Sequence, residues 1–299
     1  MGEIVGAGIV SHVPTIMLPE ETRLEINDGN EITLVPGLRR LRTEVLDRLQ
    51  ADTIVVMDTH WEVTFEHIVT AHDTREGIFT SHELPRGMRQ IPYTMPGDPE
   101  LAFAVSAQAE GRDDTWVLAS DDPYLPIFYG TVNIWSFLKE GKENWISVGI
   151  NQCGQTEDFL LLGKLIGEAV LSLDRKVVLL ASGGLSHRFL PFRELRGRES
   201  SDPMKNIITP EAREADLHVL DLLGKGDHAA VLDFLPEYRK VGPEGKFGHY
   251  LIMLGALGGA ACTATGELFS EYEASVGTGQ VHCWFERPAA GWTDSTAAA

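Results

Sequence analysis

Short apolar, β-branched runs recur along the chain, each bounded by polar or glycine-rich residues. They are "IVGAGIV" (4–10), "TIVVMD" (53–58), "WISVGI" (145–150) and "KVVLLA" (176–181). Runs of this length predict buried strands, and their continuity suits a sheet covered on both faces. Between them the apolar period lengthens. In "PGLRRLRTEVLDRL" (36–49), Leu38, Leu41, Val45 and Leu49 form one stripe, with Pro36 in the first turn. "TEDFLLLGKLIGEAVLSL" (156–173) opens on Thr156 as a cap and carries acids in its first turn. "TPEAREADLHVLDLLGKG" (209–226), "DHAAVLDFL" (227–235) and "HYLIMLGALGGA" (249–260) also read as helices. Strands alternating with helices predict an α/β fold: a central, mostly parallel or mixed sheet flanked by helices. One domain is expected over residues 1–288, with irregular insertions around 73–99 and 188–208, and a frayed tail over 289–299.

The strand ends carry the unusual chemistry. His12 follows the first run by two residues, His60 follows "TIVVMD" by two, and His187 follows "KVVLLA" across "SGGLS". Ligands of α/β sheets bind outside the carboxyl ends of the strands, so three imidazoles delivered there can share one pocket. Imidazole is the commonest protein metal ligand. Two imidazoles and a carboxylate on one face of an ion form the ligand set of non-haem Fe(II) oxygenases. Two carboxylates are candidates: Asp58, beside His60, and Glu244, between Gly242 and Gly245 in "VGPEGKFGH". Asp58 can instead support a ligand from behind. From spacing alone, a solvent-exposed turn is the plainer reading of Glu244. His218 and His228 lie on expected helices and read as solvated faces. Position does not decide His67, His72, His82, His249 and His282.

Composition narrows the choice. At 43% apolar and 23% charged, the 299 residues are ordinary for a soluble globular protein. Acids outnumber bases 44 to 25, which argues against nucleic acid as a partner. No apolar run reaches the ~18 residues of a membrane helix, so no membrane partner is expected. Cys153, Cys262 and Cys283 form no C-x-x-C pair. With no basic leader in "MGEIVGAGIV", they point to a reducing cytoplasm.

Six segments, "SHVPTIMLPE", "DTIVVMDTHW", "FTSHELP", "LLASGGLSHRF", "FLPEY" and "SVGTGQV", occur in order between residues 11 and 281, within a likeness that extends from about residue 4 to residue 286. Together they resemble the class III extradiol ring-cleaving dioxygenases, the protocatechuate 4,5-dioxygenase β-subunit superfamily. Within it the likeness is nearest to the branch acting on 3,4-dihydroxyphenylacetate; plain catechol, 2,3-dihydroxybiphenyl and 2-aminophenol are the alternative substrates. The resemblance implies one Fe(II), with Mn(II) as the alternative, held by His12, His60 and Glu244. It further implies O2 as co-substrate, His187 as acid–base catalyst and Tyr129 of "PIFYGT" facing the substrate. A homo-oligomer, dimer or tetramer, goes with it. Arg188 is a candidate partner for a substrate carboxylate.

Rival readings leave weaker traces. "DTH" matches metal-dependent phosphoesterases, but no G-N-H-[DE] follows. Ser182 or Ser186 with His187 suggests a serine hydrolase, but the G-x-S-x-G elbow is absent. A non-catalytic metal-binding relative would have no use for a proton shuttle at His187.

Overall fold

The computed structural model describes residues 1–293. Its strands in chain order are β1 (Glu3–Val10), β2 (Thr53–Val63), β3 (His67–Thr70), β4 (Thr74–Phe79), β5 (Ile91–Pro96), β6 (Val117–Ser120), β7 (Asn144–Asn151), β8 (Lys176–Ser182), β9 (Gly266–Leu268), β10 (Glu273–Ser275), β11 (Thr278–Gln280) and β12 (His282–Glu286). Eight of them form one mixed sheet in the order β6-β3-β7-β2-β8-β1-β12-β9. Its centre, β7-β2-β8-β1, is parallel, while β3 and β12 pair antiparallel at its flanks.

Both faces of the parallel centre are buried, which is why its strands read as unbroken apolar runs. Val55, Met57, Leu179 and Ala181 join one core with the helices Thr156–Ser172 and Gly248–Ala256. Ile54, Val56, Val178 and Leu180 join the other, with the helical stretch 34–49 and helix Tyr129–Leu138. The first of these stretches is α-helical at Leu34–Arg40, π-helical at Leu41–Leu46 and α-helical again at Asp47–Leu49. Among the described residues no helix is long and apolar enough to cross a membrane.

The structure corrects several local expectations. Strand β2 does not stop at Asp58. It runs on to Val63, but Asp58 pairs with Gly149 and Glu62 with Ile150, so Thr59, His60 and Trp61 bulge out of the ladder on β7. Residues 74–96 are not irregular: β4 and β5 form an antiparallel hairpin. Its mostly exposed strands, with Pro92 and Gly77, lack a buried-strand signature. Over 188–208 a 3₁₀ turn at Phe192–Glu194 and a single bridge from Ile207 to Gly277 interrupt an otherwise irregular path, as expected. The helix at 156 is capped by Gln155 rather than Thr156, in a reciprocal box with Asp158. His228 is buried, not solvated: its ring nitrogens bond Tyr250 Oη and the Ala264 carbonyl, each at 2.8 Å. Of the expected tail, Trp292 docks by donating from Nε1 to the Ile4 carbonyl. Residues 294–299 lie outside the described residues.

Candidate active site and metal centre

The carboxyl ends of β1, β2 and β8 bring His12, His60 and His187 to one place, and Glu244 joins them from a loop. The loop reaches inward through unusual backbone. After Glu244, Gly245, Lys246 and Phe247 are all left-handed, with φ of 52°, 59° and 64°. Side chains disfavour this region by ~1–2 kcal/mol per residue. Two anchors hold it: Lys246 Nζ donates to the Gln152 and Gly154 carbonyls, and the buried Phe247 stacks on Tyr250. The turn aims the buried Glu244 carboxylate at the histidines and starts the helix Gly248–Ala256.

His12 Nε2 and His60 Nε2 lie 3.3 and 3.4 Å from Glu244 Oε1. The potential ligand atoms of all three residues fall within 4.8 Å of one another. Thr59 Oγ1 donates to Glu244 Oε1 and the Gly184 amide to Oε2. Burial disfavours the charge on Glu244, but His187 and His12 outweigh it and hold its pKa well below the usual carboxylate range.

Each imidazole is set from behind. Ser182 Oγ donates to the Gly130 carbonyl at 2.6 Å, so toward His12 Nδ1, 2.8 Å away, it accepts. In the neutral ring that places the proton on Nδ1 and leaves Nε2, on the Glu244 side, as the nitrogen available to a metal. Asp58, expected to orient the His60 ring, instead accepts from the His60 backbone amide at 2.9 Å and from Thr131 Oγ1 at 2.7 Å. The carboxylate near that ring is Glu83, whose Oε1 lies 3.4 Å from His60 Nδ1. Burial alone would lower the pKa of His60; Glu83, Glu244 and Asp58 raise it on balance. Trp61 packs, stacking on Phe128.

His187 Nδ1 is 3.4 Å from Glu244 Oε2 and has no hydrogen-bond partner among the described residues. Burial lowers its pKa, which favours the neutral imidazole that accepts a proton. Tyr129 Oη lies 2.6 Å from His60 Nε2, and burial with Glu83 and Glu244 pushes the phenol pKa up, keeping its proton available for donation. Ser186 donates to Asp216 rather than to His187, and Ser182 is engaged as described, so neither is placed as a hydrolase nucleophile.

These residues open onto a cavity of about 650 Å³. His12, His60, Glu244, His187 and Tyr129 all line it. Arg188 does not: it is exposed and lies against Gly242. Among the described lining residues the one Lys or Arg is Arg86, on the loop joining β4 to β5. Arg86 and Glu83 were not legible as site residues, and Ser182 entered only as a rival nucleophile; "SHELP" marked the loop but gave no reason to single out a side chain. "GTGQ" gains a place: Gln280 lines the cavity and accepts from Ser11 Oγ, beside His12.

An α/β sheet that gathers two histidines, a glutamate and a third histidine at its strand ends defines a metal-dependent class of catalyst. The family described as "Catalytic LigB subunit of aromatic ring-opening dioxygenase" matches residues 6–286, and the chain belongs to it. It is an extradiol dioxygenase. The chain is 30% identical over 262 residues to 3,4-dihydroxyphenylacetate 2,3-dioxygenase of Escherichia coli, covering 86% of this chain and 91% of that one. It is 23% identical over 254 residues to the 2-aminophenol 1,6-dioxygenase beta subunit of Pseudomonas sp, covering 79% of each. A crystal structure of an uncharacterised protein from Escherichia coli K12 shares the fold, with TM-score 0.64 and 16% identity over 94% of this chain and 99% of that one.

Proposed function

We propose that the chain is an Fe(II)-dependent dioxygenase that opens the ring of 3,4-dihydroxyphenylacetate between C2 and C3. The observation that carries this is the buried His12–His60–Glu244 set, whose donors converge beside a cavity that His187 and Tyr129 also line. The donor set fits a single ion: an ionised carboxylate faces two imidazole nitrogens, and Ser182 engages the other nitrogen of His12. When bound there, iron supplies Lewis acidity and a template for catechol and O2. The side chains do the rest. His187 takes a proton from the catechol hydroxyl and returns it as the ring opens. Tyr129 Oη donates a hydrogen bond to a substrate oxygen. Both atoms of O2 end in the product, a ring-opened semialdehyde.

A substrate carboxylate needs a cation, and Arg86 is the one on the described wall. Glu83 and Glu199 share that wall, so the carboxylate belongs beside Arg86 and away from Glu199. The free thiols of Cys153, Cys262 and Cys283 fit a cytoplasmic enzyme. A dimer or tetramer remains part of this reading, testable by sedimentation.

The test is a panel of catechols assayed after anaerobic loading with Fe(II) or Mn(II). Iron restores turnover, and 3,4-dihydroxyphenylacetate is preferred over 4-methylcatechol. Arg86→Gln lowers that preference about tenfold or more, the worth of one hydrogen bond to a charged group. An uncharged catechol clearly preferred by the unaltered enzyme would end the carboxylate reading.

A further inference from the structure

Directly behind His187 lies a second buried carboxylate, which the chemistry above does not use. Asp216, on the helix Pro210–Gly224, is fully buried. Four donors converge on it. Oδ1 accepts from the Ser186 amide at 2.9 Å and Tyr238 Oη at 2.8 Å. Oδ2 accepts from Ser186 Oγ and Tyr272 Oη, each at 2.7 Å. A carboxylate offers about four acceptor sites and no donor, which is what this arrangement requires.

Two of the four bonds end on Ser186, the residue before His187. The same short segment is tied on both edges. Leu185 N donates to the Gly279 carbonyl and Gly279 N to the Ser186 carbonyl. His187 N donates to the Gly242 carbonyl, and Glu244 N to the Leu185 carbonyl. Gly279 must be bare, because a Cβ there would lie 2.2 Å from Asp216 Oδ2. Residues 185–187 therefore carry His187 and brace Glu244 at once, and Asp216, which does not line the cavity, holds them through Ser186. For stability alone an apolar cluster would serve as well as a buried charge without a cationic partner.

We infer that Asp216 is a positioning residue for ring opening, fixing through Ser186 the angle at which His187 faces the substrate. The inference rests on the proposed function. It predicts a split that general destabilisation would not give. Asp216→Ala holds iron and keeps KM for 3,4-dihydroxyphenylacetate within about twofold, while kcat per bound iron falls by roughly 10²-fold, the scale of a ~1 Å misplacement. Asp216→Asn recovers most of that loss. Its oxygen accepts from the Ser186 amide and Tyr238, and its amide donates to the rotatable hydroxyls of Ser186 and Tyr272. In a crystal of Asp216→Ala the His187 ring departs from its 3.4 Å approach to Glu244. Should Asp216→Ala not fold, Tyr272→Phe and Ser186→Ala remove single partners and are expected to lower kcat per iron several-fold. Unchanged kcat per iron in folded variants, or losses that merely track iron content, overturn the inference. An inactive wild-type enzyme in the same assay overturns the functional reading and this inference with it. An active wild type beside unaffected variants overturns this inference alone.

Discussion

His12 and His282 are both buried, and the Ser11 amide beside His12 bonds His282, yet their ring nitrogens are committed differently. His282 Nδ1 accepts from the Ser11 amide at 3.1 Å, and its Nε2 donates to the Leu34 carbonyl at 3.0 Å. Both ring nitrogens are occupied by backbone, so the ring ties β12 to the start of the site and has nothing left to offer. His12 has one nitrogen engaged by Ser182 and the other turned to Glu244. His228 likewise has both nitrogens engaged, by Tyr250 Oη and the Ala264 carbonyl, whereas His60 Nε2 faces Glu244 with Tyr129 Oη also 2.6 Å away. Burial does not separate the two kinds of histidine here; a ring nitrogen that faces a buried carboxylate does.

The strongest way to break the comparison is at the rim. His60→Ala should lose more iron affinity than the ~10–100-fold that removing an outer partner costs. Iron content near normal, by metal analysis of the purified protein, would remove His60 from the ligand set. His187→Ala sharpens it: the variant should keep iron and bind catechol, yet lose ~10²–10⁴ in turnover. Gln should rescue little, because it cannot exchange protons near neutral pH. Loss of iron would make His187 a ligand; full iron with full turnover would make it a bystander.

The interior histidines predict effects on stability alone. His282→Ala leaves the Ser11 amide and Leu34 carbonyl without partners and should cost ~1–3 kcal/mol in unfolding free energy. Iron content per folded chain should not change. A loss of iron larger than the loss of folded protein would erase the distinction between the two regions.

The smallest effect is a slope. Burial lowers the pKa of His282 to about 4, and that of His67 to about 4. The unfolded chain binds these protons near pH 6.5, so between about 4 and 6.5 it holds more protons than the folded one. Each group's stabilisation is therefore complete above pH 6.5 and declines as pH falls, by at most ~1.4 kcal/mol per pH unit. Asp216 and Glu273, whose pKa values burial raises, act in the opposite sense. Denaturation curves at pH 7 and pH 5 for wild type and His282→Gln isolate one share: the variant should show the shallower dependence. An equal slope would mean that His282 is not held neutral.

The parallel strands and three strand-end histidines were legible because each rests on local pattern. A run buried on both faces must be apolar, and the residues after it must lie at the sheet's carboxyl edge. Glu244 was different. Its glycine-flanked setting admitted a surface turn, and resemblance to a family, rather than spacing, pointed inward. The hairpin β4–β5 escaped notice because its strands are largely exposed and need no apolar period. His228 misled for the converse reason: a helical position tells which residues share a face but not what covers that face, here Tyr250 and Ala264.

By itself the sequence determined the α/β alternation, the sheet's central strands, the gathering of His12, His60 and His187 along one edge, and the family. These follow from side-chain period and chain direction, which are properties of neighbours in sequence. Tertiary structure alone decided that β2 bulges at His60, that Ser182 sets the proton on His12, and that Arg86 rather than Arg188 reaches the cavity. It alone decided that Asp216 stands behind His187. Each of these depends on atoms dozens to well over a hundred residues apart, or on which way a loop turns. A hydrogen bond is satisfied by distance and angle in space, and no local pattern records where its partner will be.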